Sequence, residues 1–306
     1  MTRPVENLSS HVDARWGDVV GMLRTTVGGG HSLCHLGHYT NGVADLSVDV
    51  VDDVGNHHID CTRDDYSRIA RQLNLSVSDL EAELAAAGTG SLLRVVLNGR
   101  DAAVHCAAVV PNQHVIGFAE AARGGRAGPG AEALVSELVL RLRDRLAGRP
   151  SGAWPSGSAL TPRPLPTGER RVARATGRED TDPAAACRRA VGFEALHYAA
   201  WCTPDGVVSV DCLDDDRLDP ATRRARTAFG ELGARFPRLV GQFSRVGLNA
   251  LGGRLEHVGV HLERGAIHCR RVRPGHSVVG LTLHPGAVDR AEDLVADLAG
   301  SLARTG

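Results

Sequence analysis

Apolar positions in this chain alternate between helical and strand periods, and the order of the alternation occurs twice. Val12, Trp16, Val19, Val20 and Leu23 recur at i, i+4, i+7, i+8 and i+11, one face of a helix that Ser9 or Ser10 can cap and that Gly28-Gly29-Gly30 ends. Residues 31–40 then read as a strand, Asn41-Gly42 as a hairpin turn, and 43–51 as the return strand with Leu46, Val48 and Val50 on one face. Residues 57–61 extend the sheet. Thr62-Arg63-Asp64-Asp65 resembles a capping box ahead of Tyr66, Ile69, Ala70 and Leu73. A second helical piece is expected from Ser78 to Gly88. Strands at 92–97, 102–110 and 114–120 and a closing helix at 131–146 follow.

After 146 the periodicity stops. Pro150, Pro155, Pro162, Pro164 and Pro166 alternate with Gly, Ser, Thr and Arg, so 147–182 reads as a tether. The pattern then resumes. Asp182-Pro183 opens a short helix over 184–191. Strands at 195–202 and 207–213 flank Pro204-Asp205-Gly206. Asp219-Pro220 starts a helix carrying Ala225, Phe229, Leu232 and Phe236, and Pro237 is expected to kink it. Strands at 257–262, 266–273 and 277–283 precede a helix with Val288, Ala291, Leu294, Val295, Leu298 and Leu302 on one face.

The repetition extends to the letters. AVHCAAVVPNQHVIGF, residues 103–118, and AIHCRRVRPGHSVVGL, residues 266–281, align without a gap at an offset of 163, with seven positions identical. Roughly one identity would arise by chance. The expectation is an α+β chain of two pseudo-repeated α-β-β-α-β-β-β-α domains, 1–146 and 183–306. Each would be an antiparallel five-stranded sheet flanked by helices.

Residues 251–283, LGGRLEHVGVHLERGAIHCRRVRPGHSVVGLTL, with the helices before and after them, resemble the three-strand meander of Roadblock/dynein-light-chain domains. The hairpin around Pro204-Asp205-Gly206 corresponds to that family's first two strands. The first half resembles it mainly through the internal repeat. It departs by an extra segment, 54–61, and by a broken central helix. The resemblance implies a non-enzymatic adaptor or regulator of a protein partner, small GTPases above all, binding through sheet edges and long helices. It also implies pairing of the two copies within the chain, or homo-oligomers. A related αβ shape in secretion chaperones gives a second expectation, the holding of a client segment along a sheet.

Composition narrows the chemistry. All 35 basic residues are arginine, which excludes Schiff-base, Walker A and kinase lysines. The net charge of −1 gives no bulk attraction to nucleic acid or anionic membrane, and 4% aromatics leave little for base stacking. Residues 1–146 hold 13 Arg against 18 acids and 184–306 hold 16 against 14, so the halves differ in sign. Seven scattered cysteines fit reduced thiols, and with no signal pattern or long apolar run a cytoplasmic protein is expected.

Four groups of residues remain as candidates, and no cofactor is expected. His31, Cys34, His35 and His38, with His57, His58 and Cys61, offer zinc-type donors for a metal-dependent enzyme. Strand alternation sets Cys34 and His38 opposite His31 and His35, so exposed strand histidines are the plainer expectation. His105-Cys106 and His268-Cys269 pair a base with a thiol, but adjacent strand residues face opposite ways. The cysteines are expected in the core and the histidines at solvent or an interface. Asp52-Asp53 and Asp214-Asp215-Asp216 read as solvated turn carboxylates. Arg223, Arg224, Arg226, Arg270, Arg271 and Arg273 are the candidate contact residues for an acidic partner surface. Ala107, Ala108 and Val110 stand in the first half where the last three arginines stand in the second.

Overall fold

The computed structural model of the chain describes residues 4–28, 33–50, 62–86, 89–122, 126–127, 129–146, 173–176, 182–247, 251 and 253–304. The architecture is α+β with antiparallel strand pairing, in two units. The first unit comprises Met1–Asp79, Arg94–Ser156 and Gln242–Leu255; the second comprises Leu80–Leu93, Gly157–Gly241 and Glu256–Gly306.

The first half of the chain carries β1 (Val5–Leu8), α1 (Gly17–Gly28), β2 (Leu33–Thr40), β3 (Val43–Asp49), α2 (Arg63–Ala86), β4 (Leu92–Asn98), β5 (Ala102–Val110), β6 (Gln113–Ala122), β7 (Arg126–Ala127) and α3 (Pro129–Leu146). Its strands run in the order β1-β3-β2-β6-β5-β4, with β7 paired to β6. Valines and leucines of α1 and α3 pack on one face against Leu36, Leu46, Val48, Val109 and Val115. On the other face Tyr66 of α2 meets Phe118 edge-on, with ring centroids 4.9 Å apart.

The second half carries β8 (Ala173–Thr176), α4 (Asp182–Ala190), β9 (Tyr198–Thr203), β10 (Gly206–Asp211), α5 (Pro220–Arg224), α6 (Arg226–Gly247), β11 (His257–Leu262), β12 (Gly265–Arg273), β13 (His276–Thr282) and α7 (Val288–Arg304). The strand order is β11-β12-β13-β9-β10-β8. Helices α4 and α7 cover Leu196, Trp201, Val210 and Val278 on one face. On the other, Gly233 lets α6 lie against Tyr198; a Cβ there would sit 2.5 Å from the ring.

Local chemistry explains where elements begin and turn. The Thr62 and Asp65 side chains exchange hydrogen bonds with each other's backbone N–H at 3.3 and 3.1 Å, the reciprocal cap expected for α2. The Asp219 carboxylate receives the N–H groups of Ala221 and Thr222, with Pro220 at the first helical position. Asn41 and Gly42 both have positive φ, 51° and 81°, as a two-residue hairpin of this twist requires. Asn112 at 63° and Gly275 at 74° hold the same place in the β5–β6 and β12–β13 turns.

The pairings also correspond. His105 lies opposite Gly117 and His268 opposite Gly280. Both ladders break their register at the same step, between Ala108 and Val110 and between Arg271 and Arg273. Leu36 opposite Gly117 has its counterpart in Ala199 opposite Gly280.

Several expectations are corrected. Each half has a sixth strand in its order: β1 pairs with β3, and β8, inside the stretch read as a tether, pairs with β10. Helix α2 is continuous, not broken. Ser76 and Ser78 donate to the carbonyls of Gln72 and Asn74 within it, so the serine read as a cap is absorbed by the preceding turn. Helix α6 runs through Pro237 without interruption, and the break falls at Ala225, ahead of it. The extra segment at 54–61 lies outside the described residues. Among those described, no helix is long and apolar enough to cross a membrane.

Candidate functional site

The six candidate arginines do not form one patch. Arg226 forks onto Asp211, with Nε–Oδ1 2.8 Å and Nη2–Oδ2 2.9 Å, and reaches Asp214 at 3.5 Å. Arg223 meets Asp216 at 2.6 Å. Arg217 grips Asp215 at 2.7 Å and lies 4.1 Å above the Phe193 ring. The Asp214-Asp215-Asp216 run therefore binds arginines of its own unit and is not a set of simply solvated turn carboxylates. Arg224 and Arg273 are exposed, while Arg270 and Arg271 are half-buried. Arg270 lies opposite Val278, on the face that α7 covers, and Arg271 opposite Ser277, on the reverse face.

The histidines of β2 are buried, which corrects their expected exposure; His35 and His38 are both at 0%. His35 Nδ1 bonds Asp49 at 2.5 Å across the β2–β3 ladder, and its ring stacks on Tyr66. His38, turned to the other face beside Trp16, bonds Asp45 at 2.7 Å; His11 and Thr40 bond the same carboxylate at 2.8 and 2.7 Å. Burial works to raise the Asp45 carboxyl, and the hydrogen bonds from His38, His11 and Thr40 outweigh it, holding it below the usual range. The Cys34 thiol donates to the Phe118 carbonyl at 3.4 Å, and burial pushes it up to about 12. Cys34, His35 and His38 thus have separate partners and do not form one donor set. His31, His57, His58, Cys61, Asp52 and Asp53 lie outside the described residues.

Cys106 and Cys269 are core residues, as alternation requires. Their neighbours His105 and His268 are buried too, at 1% and 0%, not at solvent. Each is tucked under a closing helix: the glycine opposite His105 lies near Val135 of α3, and the glycine opposite His268 beneath Val295 of α7. Burial, with the nearby Arg94 charge, pushes His105 down to about 4. Arg94 in turn meets Glu132 of α3 at 2.5 Å.

In the second unit the corresponding place holds histidines. His257 pairs with Arg270 as Arg94 pairs with Ala107, and Glu292 of α7 stands three residues before Val295 as Glu132 stands three before Val135. One ligand atom each from His257, His268 and Glu292 lie within 4.8 Å of one another. Sequence reasoning found His268 but missed His257, His261 and Glu292. The usable signal was His257-x-Gly259-x-His261, three positions on one strand face.

No protein-family model matches the chain, and no curated protein matches it.

Proposed function

We propose that the chain is a tandem of two Roadblock-like modules. It acts as a non-enzymatic cytoplasmic adaptor or regulator of a protein partner, a small GTPase in the first instance. The observation that carries this reading is the correspondence of the ladders. β3-β2-β6-β5-β4 and β10-β9-β13-β12-β11 run in one order, with His105 and His268 at equivalent places 163 residues apart. Each half adds one strand to that five-strand frame, at the β3 and β10 edges, so those edges are already occupied. The contact surface is then sought on the helices and on the exposed arginines Arg224 and Arg273, whose guanidinium forks suit carboxylates. Burial supports a binding role over nucleophilic chemistry: the thiols of Cys34, Cys187, Cys202 and Cys212 are all pushed up to about 12.

The test is capture of small GTPases on the immobilised full chain, with each captured protein assayed for bound GDP and GTP. Nucleotide-dependent capture, weakened by Arg224→Glu and Arg273→Glu, supports the proposal. Capture of unfolded clients without any guanine-nucleotide protein overturns it in favour of a chaperone.

A further inference from the structure

We propose that His257, His268 and Glu292 form a binding site for a divalent transition metal of the zinc class, with His261 as a fourth donor. The strand pattern builds the donor set. His257, Gly259 and His261 alternate on one face of β11, and His268 of β12 lies opposite Gly259. Because residue 259 has no side chain, three imidazoles converge over it. A Cβ placed there would lie 3.5 Å from His257 Cε1, 3.5 Å from His261 Nε2 and 3.7 Å from His268 Nδ1. Glu292, in the second turn of α7, brings a carboxylate oxygen to 3.9 Å from His257 Nδ1. Imidazole nitrogen with carboxylate oxygen is the donor chemistry zinc takes, at bonds of about 2.0–2.2 Å. Donors around such an ion stand roughly 3.3 Å apart, so side-chain rotations that draw the His257, His268 and Glu292 atoms in by about 1 Å would close that triad, with the His261 ring beside Gly259 turning towards it.

The first unit supplies an internal control. There the ladder places Arg94 where the second unit has His257, and Glu132 stands three residues before Val135 as Glu292 stands three before Val295. The guanidinium meets the carboxylate at 2.5 Å, beside His105. A side-chain cation is thus built over the carboxylate in one unit, and imidazoles replace it in the other. The donor geometry stands without the GTPase reading, so the failure of either leaves the other intact.

The experiment titrates the metal-stripped full chain with Zn2+ by calorimetry, and with Co2+ by visible absorption. One equivalent per chain is expected, with ligand-field bands and no thiolate-to-cobalt charge transfer, which separates this site from any cysteine site. Glu292→Gln and His261→Gln should each weaken Zn2+ binding at least tenfold. His257→Gln should likewise abolish the one equivalent. Circular dichroism checks the fold of each variant. Absence of stoichiometric binding to the parent chain, a thiolate signature, or unchanged affinity in folded Glu292→Gln would overturn the proposal.

Discussion

Adding one methyl group at position 280 measures how closely α7 lies on the strands of the second unit. A Cβ on Gly280 would overlap Cγ2 of Val295 and stand 2.9 Å from Cδ1 of Leu196. Both neighbours are fully buried at 0%, so neither has an open direction in which to retreat. Alanine in a strand gains about 0.5–1 kcal/mol over glycine from chain entropy. Overpacking a filled core costs about 1–3 kcal/mol. The net expectation for Gly280→Ala is a loss of about 1–2 kcal/mol. Val295→Ala removes the atom that clashes, so in that background Gly280→Ala should cost about 1 kcal/mol less, a coupling typical of residues in contact. Gly117→Ala is the comparison. Its Cβ would lie 3.4 Å from Val135 and 2.8 Å from the end of the equally buried Leu36 side chain, a milder overlap, so the change should cost less than Gly280→Ala. Urea unfolding followed by Trp201 fluorescence, with Trp16 and Trp154 replaced by phenylalanine, reports on the second unit. A Gly280→Ala chain as stable as its parent, or an equal loss in the Val295→Ala background, would refute the reasoning.

Burial holds His105 and His114 near 4 and His197 near 3, below the ordinary histidine value of 6.5. Protonation therefore favours the unfolded chain. The stability these neutral rings allow is complete above about pH 6.5 and declines as pH falls towards 4, by about 2 kcal/mol for His105 between pH 7 and about 4.5. Urea midpoints of parent and His105→Leu across that range should show a flatter slope in the variant; equal slopes would count against the assignment. Asp49→Ala leaves the buried His35 Nδ1 without its 2.5 Å partner and should cost about 2–4 kcal/mol by thermal unfolding, whereas Asp64→Ala should change little. Ellman's reagent at mild alkaline pH should leave Cys34, Cys187, Cys202 and Cys212 unmodified in the native chain and label them after unfolding, as thiols held near 12 require. Rapid native labelling of these four would contradict their burial.

Much of the scaffold was legible because the apolar periods are clean and the turns carry their own chemistry. β11 falls at 257–262 as read, and Asn41-Gly42 makes its turn with two positive φ angles. The histidines were misjudged because strand alternation gives a side, not a depth. His35 and His38 are polar by letter, yet Asp49 and Asp45 pay their desolvation from within the sheet. β1 and β8 are four residues each, too short for a period to register. Helix α2 read as two pieces because serine is a capping residue in isolation and a back-bonded one mid-helix. The donor set of the second unit was out of reach for another reason. Glu292 stands on a helix 35 positions after His257, and only helix-on-sheet packing brings them together.

A doubled module gives both halves the same ladder pattern, and nuclear Overhauser contacts across the strands measure this directly. Contacts linking His105 to Gly117 and His268 to Gly280, with Ala107–Val115 and Arg270–Val278 beside them, are the result expected of a doubled module. A register displaced by even one residue in one half, or a different strand beside either histidine, would contradict it.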